Sequence, residues 1–359
     1  MRLPRRVVKP TARRVARTTA TLSRDMAIPL ILDVDTGVDD ALAILYAIAS
    51  PEVDLIACTC VNGNVELDLV VRNTLAVLEA SGCSDVEVAA GARTPLKEPE
   101  KHGYVVHGPE GLGNAVVAEP AARASARSAT EVLLEASSRH ADLMFVSTGP
   151  LTNVALALRE DPAFLSRLGS YTMMAGAFRG RGNTLPRSEA NVWYDPEAAA
   201  EVFAACEALP DDQLPLAIGL DVTEEIELRP AKLDAICSPA PDSPLARLIR
   251  DASAFYIDFE RSSRRDAEGC YLHDPLAVMA AIDPSLVTTA SCHVEVELEG
   301  RHTRGETVAD LLEMWRHPLN EGYGLMDAAD NVRVALEVDE VTTEARFVER
   351  LRSLVDGRA

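Results

Sequence analysis

The chain has 359 residues, 47% apolar and 25% charged, with a formal net charge of −21. That length can bury a sizeable core. The acidity argues against a nucleic-acid backbone as partner, and no apolar run approaches the ~18 residues of a membrane helix. The seven cysteines (58, 60, 83, 206, 237, 270 and 292) contain no CxxC pair and no zinc-like spacing. They read as reduced thiols of a cytoplasmic protein.

The first 25 residues hold eight of the 35 Lys and Arg and a single acid, Asp25. They read as a disordered basic extension, a targeting segment or an upstream start, ahead of one large domain over 26–359. Removing them is expected to leave activity intact. From there short apolar runs alternate with amphipathic stretches. Strands are predicted over 28–35, 53–61, 86–90, 142–148, 170–175 and 214–219. Helices are predicted over 38–50, 66–80, 128–139, 151–159, 195–207, 243–259, 274–282 and 341–355. Strand followed by helix, repeated, predicts an α/β fold: a mostly parallel, Rossmann-like open sheet flanked by helices. Runs 292–298 and 331–337 read as added edge strands. Segment 225–244 has four prolines and reads as a long connection, without marking a domain boundary.

In such sheets ligands sit beyond the carboxyl ends of the strands. Polar clusters recur there. Asp33 and Asp35 end the first strand, and Asp39 and Asp40 open the next helix, where free N–H groups favour negative charge. Gly37 permits the turn between them. Asn62 and Asn64 follow the second strand, and Thr148, Thr152 and Asn153 follow a later one. Asn183, Glu189 and Asn191 share a loop, and His273 and Asp274 open a late helix. Helix capping accounts for one or two of the acids. It does not account for Asp33 and Asp35, because an unpaired buried charge is costly. A hard cation with oxygen ligands resolves the repulsion.

Strand ends of this kind begin two enzyme classes, the haloacid-dehalogenase-like phosphatases and the nucleoside hydrolases. "DVDTGVDDA" (33–41) fits the second. Five further motifs follow in order: "VNGNV" (61–65), "VHGPEGLG" (106–113), "STGPLTNVALAL" (147–158), "GN…SEANVWYDPEAA" (182–199) and "HDPLAV" (273–278). From about residue 28 onwards the chain resembles the inosine–uridine-type nucleoside N-ribohydrolases.

The resemblance implies hydrolysis of the N-glycosidic bond of ribonucleosides. It implies Ca2+ held by the carboxylates of Asp35, Asp40 and Asp274 and by the Thr152 carbonyl. Asp35 would activate a calcium-bound water as general base. His273 would protonate the leaving base. Asp39, Asn64, Asn183, Glu189 and Asn191 would grip ribose hydroxyls, although Asn64 and Asn191 also suit plain turns. Met174 would pack the sugar, His107 would lie near the base, and Asp33 would support the site from behind. Ala190 stands where the family often has Phe, which opens space on the ribose 5′ side. Phe255, Tyr256, Phe259 and Tyr271 form either a lid over the base or helix core. The family tends to homodimers and homotetramers. The alternatives are a magnesium-dependent phosphatase of the DxD type and a catalytically silent nucleoside-binding protein.

Overall fold

The computed structural model describes residues 27–263, 267–315 and 329–358. The basic segment 1–25 lies outside the described residues. The first half runs β1 (Ile28–Val34), α1 (Val38–Ile48), β2 (Val53–Cys60), α2 (Leu67–Ala80), β3 (Glu87–Ala90), α3 (Tyr104–His107), α4 (Ala129–Arg139), β4 (Met144–Ser147), α5 (Thr152–Glu160) and β5 (Ser170–Met174). It continues through α6 (Ala190–Tyr194), α7 (Pro196–Cys206), β6 (Leu216–Ile218), α8 (Leu220–Thr223), β7 (Glu227–Leu228), α9 (Pro230–Cys237) and α10 (Pro244–Ser263). The last part is β8 (Cys270–Tyr271), α11 (His273–Ile282), β9 (Val287–Cys292), β10 (Val294–Val296), β11 (Thr307–Ala309), β12 (Val332–Val338) and α12 (Glu340–Val355).

β1 shows why the sheet is covered on both faces. Side chains alternate across a strand. Leu30, Leu32 and Val34 enter one apolar cluster with α1, α10 and α11, while Ile31 enters a second with α4, α5 and α7. A strand buried on both sides reads as a continuous apolar run, as "LIL" (30–32) does here. The main sheet has eight strands in the order β3-β2-β1-β4-β5-β6-β12-β9. All neighbours pair in parallel except β12 with β9. The chain moves outward from β1 through β2 to β3, then returns to β4 on the other side. The crevice between β1 and β4 is therefore a topological switch point, where ligands of such sheets bind.

Two strand expectations change. Segment 331–337 is not an edge: β12 lies inside the sheet, between β6 and β9. The edge is β9, whose Thr288, Thr289 and Ser291 face solvent and hide it from an apolar-run reading. Segment 292–298 holds β10, which pairs with β11 in a separate two-stranded ribbon. The proline-rich segment 225–244 contains β7 and α9, with Pro230 in the first turn where it needs no N–H partner. Leu228, Leu233 and Ile236 join the same core as Leu30, so no boundary falls there.

Candidate active site

β1 ends at Val34, so Asp35 emerges at the switch point. α1 starts three residues on, with Gly37 as its N-cap. Gly37 has an extended backbone (φ −95°, ψ −159°) open to any residue. Space is what requires glycine here: a Cβ would stand 2.5 Å from His107 Nδ1 and 2.8 Å from Asn64 Nδ2. The Gly37 N–H donates to Asp40 Oδ2 at 2.9 Å, so Asp40 does cap the helix. Thr148, just past β4, donates through Oγ1 to Asp40 Oδ1 at 2.8 Å. The Asn64 N–H donates to Asp35 Oδ2 at 2.8 Å.

Capping leaves much of the charge unanswered. Asp39, Asp40 and Asp274 are buried and each offers an oxygen within 4.8 Å of the others'. Asp35 Oδ1 and Asp39 Oδ1 are buried without a hydrogen-bond partner. Burial, then the Asp40 and Asp39 charges, holds the Asp35 carboxyl well above its usual range. Asp274 rises likewise, by burial and then the charges of Asp39, Asp40 and Asp35. Burial lifts Asp39 to about 6. An acid pocket that resists ionisation by itself, with orphaned oxygens facing each other, fits a bound divalent cation.

The cluster forms the floor of a cavity of about 660 Å³, a size suited to a small ligand. His107 lines it. Its Nδ1 accepts the Val38 N–H at 3.2 Å, which puts the proton of the neutral ring on Nε2. Burial holds its pKa down at about 4. His273 lines it too and is anchored by a 2.7 Å hydrogen bond between Nδ1 and Thr223 Oγ1. Asn191 donates to the carbonyls of Thr148 (2.7 Å) and Met174 (3.0 Å), so its amide oxygen is what it offers the cavity. Glu189 caps α6, accepting from the N–H groups of Gly176, Asn191 and Val192. Asn183 accepts the Ala190 N–H at 3.0 Å through Oδ1, which leaves its amide N–H groups as donors.

Of the residues the sequence singled out, Asp39, Asn64, His107, Met174, Asn183, Glu189, Asn191, His273 and Asp274 line this one cavity. Asp35 and Asp40 do not line it: both are buried, Asp40 with an oxygen within 4.8 Å of those of Asp39 and Asp274, and Asp35 on the N–H of Asn64. Asp33 sits one step behind: its Oδ1 accepts from Thr59 (2.5 Å) and Asn153 (2.8 Å), and it does not line the cavity. Thr152 is not brought in. It opens α5, so its carbonyl points along the helix, and its hydroxyl donates to Asp195 Oδ2 at 2.7 Å. Thr148, four residues earlier, lines the cavity and donates to Asp40, whereas Thr152 does not line it. The tight carboxylate triad also holds Asp39 where the sequence placed Asp35. Tyr256 and Phe259 line the cavity from α10, whereas Phe255 packs towards Gly113 and Tyr271 is buried 5.9 Å from the His273 ring. The sequence reading missed His102 and Glu260 in the lining. Glu260 follows Tyr256 by four residues, and that helical spacing was the available signal.

A sheet-end crevice with buried carboxylates, amide side chains and three histidines around one cavity has the make-up of an enzyme active site. The comparisons narrow this. Residues 30–345 match the family model of inosine-uridine preferring nucleoside hydrolases. The chain is 33% identical over 329 residues to the pyrimidine-specific ribonucleoside hydrolase RihA of Enterobacter sp. (strain 638), covering 91% of this chain and 98% of that one. It is 36% identical over 282 residues to the probable uridine nucleosidase 2 of Arabidopsis thaliana, covering 78% and 84%. It superimposes on the purine-preferring ribonucleoside hydrolase from Gardnerella vaginalis with a TM-score of 0.82 at 32% identity, over 91% of this chain and 99% of that one. The chain belongs to the inosine-uridine preferring nucleoside hydrolase family and is a nucleoside N-ribohydrolase.

Proposed function

We propose that the protein cleaves ribonucleosides with water to free base and ribose, with Asp35 as general base and His273 as leaving-group acid. The observation that carries this reading is the convergence of buried acids from two distant segments, Asp35/Asp39/Asp40 and Asp274, with Thr148 of a third segment donating to Asp40, at a cavity lined by His102, His107 and His273. Asp35, Asp39, Asp40 and Asp274 would hold the cation, which we take to be Ca2+ because a floor of oxygens alone suits it. Bound there, the cation supplies Lewis-acid polarisation and neutralises the carboxylates.

The rest is done by the chain's own side chains. Asp35 keeps Oδ2 on the Asn64 N–H, so Oδ1 is the atom that takes the proton of the attacking water. Asp39, Asn64, Asn183, Glu189 and Asn191 hold ribose hydroxyls. Asn191 accepts and Asn183 donates, which suits a sugar offering both. Met174 packs against the sugar. The bond breaks through a transition state of oxocarbenium character, and the electron pair leaves with the base. His273 gives that base a proton, and His107 Nε2–H donates to it. Asp33 holds the end of β1 through Thr59 and Asn153. The relatives' names divide between pyrimidine and purine, so the substrate class is the ribonucleoside, without a chosen base. The resemblance extends the reading to a cytoplasmic homodimer or homotetramer, which light scattering would check. Among the described residues no helix is long and apolar enough to cross a membrane.

The test is a panel of uridine, cytidine, inosine, adenosine and guanosine with and without Ca2+ after chelation. Base and ribose should appear in equal amounts, and only with the cation. No release from any nucleoside in the presence of Ca2+ overturns the reading.

A further inference from the structure

One arginine outside the cavity joins two of its walls. The first wall, residues 98–107, brings His102 and His107 to the cavity. The second, residues 182–195, brings Asn183, Glu189, Asn191 and Trp193. Arg304 lies in the turn between β10 and β11 and lines neither. Its backbone belongs to the second wall: the Arg304 carbonyl accepts from Ser188 Oγ at 2.7 Å, and Ser188 bridges Glu306. Its side chain reaches the first. Nε and Nη2 donate to Glu98 Oε1 at 2.8 and 2.6 Å, and Nη2 also meets Glu197 Oε1 at 2.6 Å. Glu197 opens α7 directly behind the second wall and is 8% exposed. Lys101 ties the same walls, donating to the Trp193 carbonyl at 2.8 Å with its ammonium 4.2 Å from the Trp193 ring centre.

We propose that Arg304 is a positioning residue that fixes the distance between the two walls of the nucleoside cavity, an inference that rests on that cavity being the substrate site. The physical reason lies in the charges. Glu98 and Glu197 come from different walls and converge on one guanidinium. A neutral side chain at 304 removes the guanidinium that bonds both carboxylates and leaves each with a lysine, Lys97 at 3.9 Å from Glu197 and Lys101 at 3.3 Å from Glu98, so the joint loosens. The fork also matters. A guanidinium serves two carboxylates with separate N–H groups, whereas a lysine ammonium is a compact point charge on a flexible stem. The residues set by this joint grip the substrate before and during reaction alike, so loosening it weakens uniform binding and acts on KM.

The experiment compares Arg304→Gln, Arg304→Lys and Glu98→Gln in the Ca2+-loaded full chain. It reads steady-state kinetics on a nucleoside that the unaltered protein cleaves, and hydrogen exchange by segment. Arg304→Gln should raise KM about tenfold with kcat within about twofold, and Arg304→Lys should fall between it and the unaltered protein. Exchange should quicken in both 98–107 and 182–195 while β1 and β4 keep their protection. Glu98→Gln, which also serves if Arg304→Gln fails to fold, should raise KM and loosen 98–107 alone. Unchanged KM and exchange, a fall in kcat with KM unchanged, or a uniform loss of protection in both variants overturns the proposal. If the unaltered protein cleaves no nucleoside, the functional reading fails, and the exchange measurement still decides whether Arg304 joins the walls.

Discussion

The Asn64 N–H donates to Asp35 Oδ2 at 2.8 Å, and the other carboxylate oxygen of Asp35 is buried without a partner. One oxygen is thus fixed by the backbone and the other is left for chemistry. Asp35→Asn keeps an oxygen for the Asn64 N–H but removes the proton acceptor. Turnover should fall by about 10³-fold or more. The melting temperature of the metal-free protein should not fall, because a repulsive buried charge has gone. Kinetics and calorimetry on the same sample check both halves, and retention of more than a tenth of the activity would remove Asp35 from the base role.

Gly63 lies against that same carboxylate. A Cβ there would stand 2.0 Å from Asp35 Oδ2 and 2.9 Å from Pro150 Cδ. Gly63→Ala must therefore push Asp35 out of place. A shift of that kind costs about 10²-fold in turnover, with a smaller effect on fold stability because β1 itself is untouched. Activity near that of the unaltered protein would show that Asp35 tolerates displacement and is not positioned for reaction.

His273 is anchored by Thr223 and lines the cavity. As a leaving-group acid it matters only where the departing group needs a proton. His273→Ala should lower turnover of natural nucleosides about 10²–10⁴-fold and leave p-nitrophenyl riboside far less affected. Equal losses on both substrates assign His273 to binding or packing instead. Thr223→Val, which removes the anchor but keeps the shape, should show the same substrate bias in weaker form.

Much of this site was legible in the sequence because each strand end declares itself by an apolar run stopping at polar residues. Asp33 to Asp40 and Asn64 follow that rule, whereas Asn191, inside α6, and Asp274, in the first turn of α11, are marked by the motifs "SEANVWYDPEAA" and "HDPLAV". What stayed hidden depended on direction and distance. Thr148 and Thr152 are four residues apart in "STGPLTN", and only the start of α5 at Thr152 shows which one faces the crevice. The solvent-facing threonines of β9 masked an edge strand. Arg304 is about two hundred residues from Glu98 in sequence, so no local pattern reports their contact.

The two threonines give a paired test. Val has the shape of Thr without the hydroxyl. Thr148→Val removes the donor to buried Asp40 and should weaken Ca2+ binding, at a cost of about 1–3 kcal/mol for the unsatisfied group. Thr152→Val removes a hydrogen bond to Asp195, on the far side of α5, and should lower stability modestly with Ca2+ affinity unchanged. Calorimetric titration of both variants checks this. Weaker Ca2+ binding in Thr152→Val alone would mean that the Thr152 hydroxyl and its bond to Asp195, and not Thr148, support the cation site.

The acid floor makes the metal-free and metal-loaded proteins respond oppositely to pH. Burial raises Asp33 to about 7 and Asp39 to about 6 from an ordinary 3.8, and holds Asp35 and Asp274 well above that ordinary value, with neighbouring carboxylates adding to the rise of these two. A carboxyl whose folded pKa is raised favours the fold while protonated, so that contribution is complete below the ordinary value and is lost as pH rises through the raised one. His107 runs the other way. Its pKa falls from 6.5 to about 4 on burial, so its contribution is complete above pH 6.5 and is lost only on acidification. Above pH 6.5 His107 no longer adds to the slope, and the raised acids still do. Between pH 6.5 and about 7 the metal-free protein should therefore lose stability as Asp33 ionises, while Ca2+, which needs the carboxylates ionised, should bind more tightly and release protons on binding. The gap between the two melting temperatures should widen with pH, and titrations in buffers of different ionisation enthalpy should count the protons. A gap that narrows as pH rises would mean that these carboxylates are not the ligands.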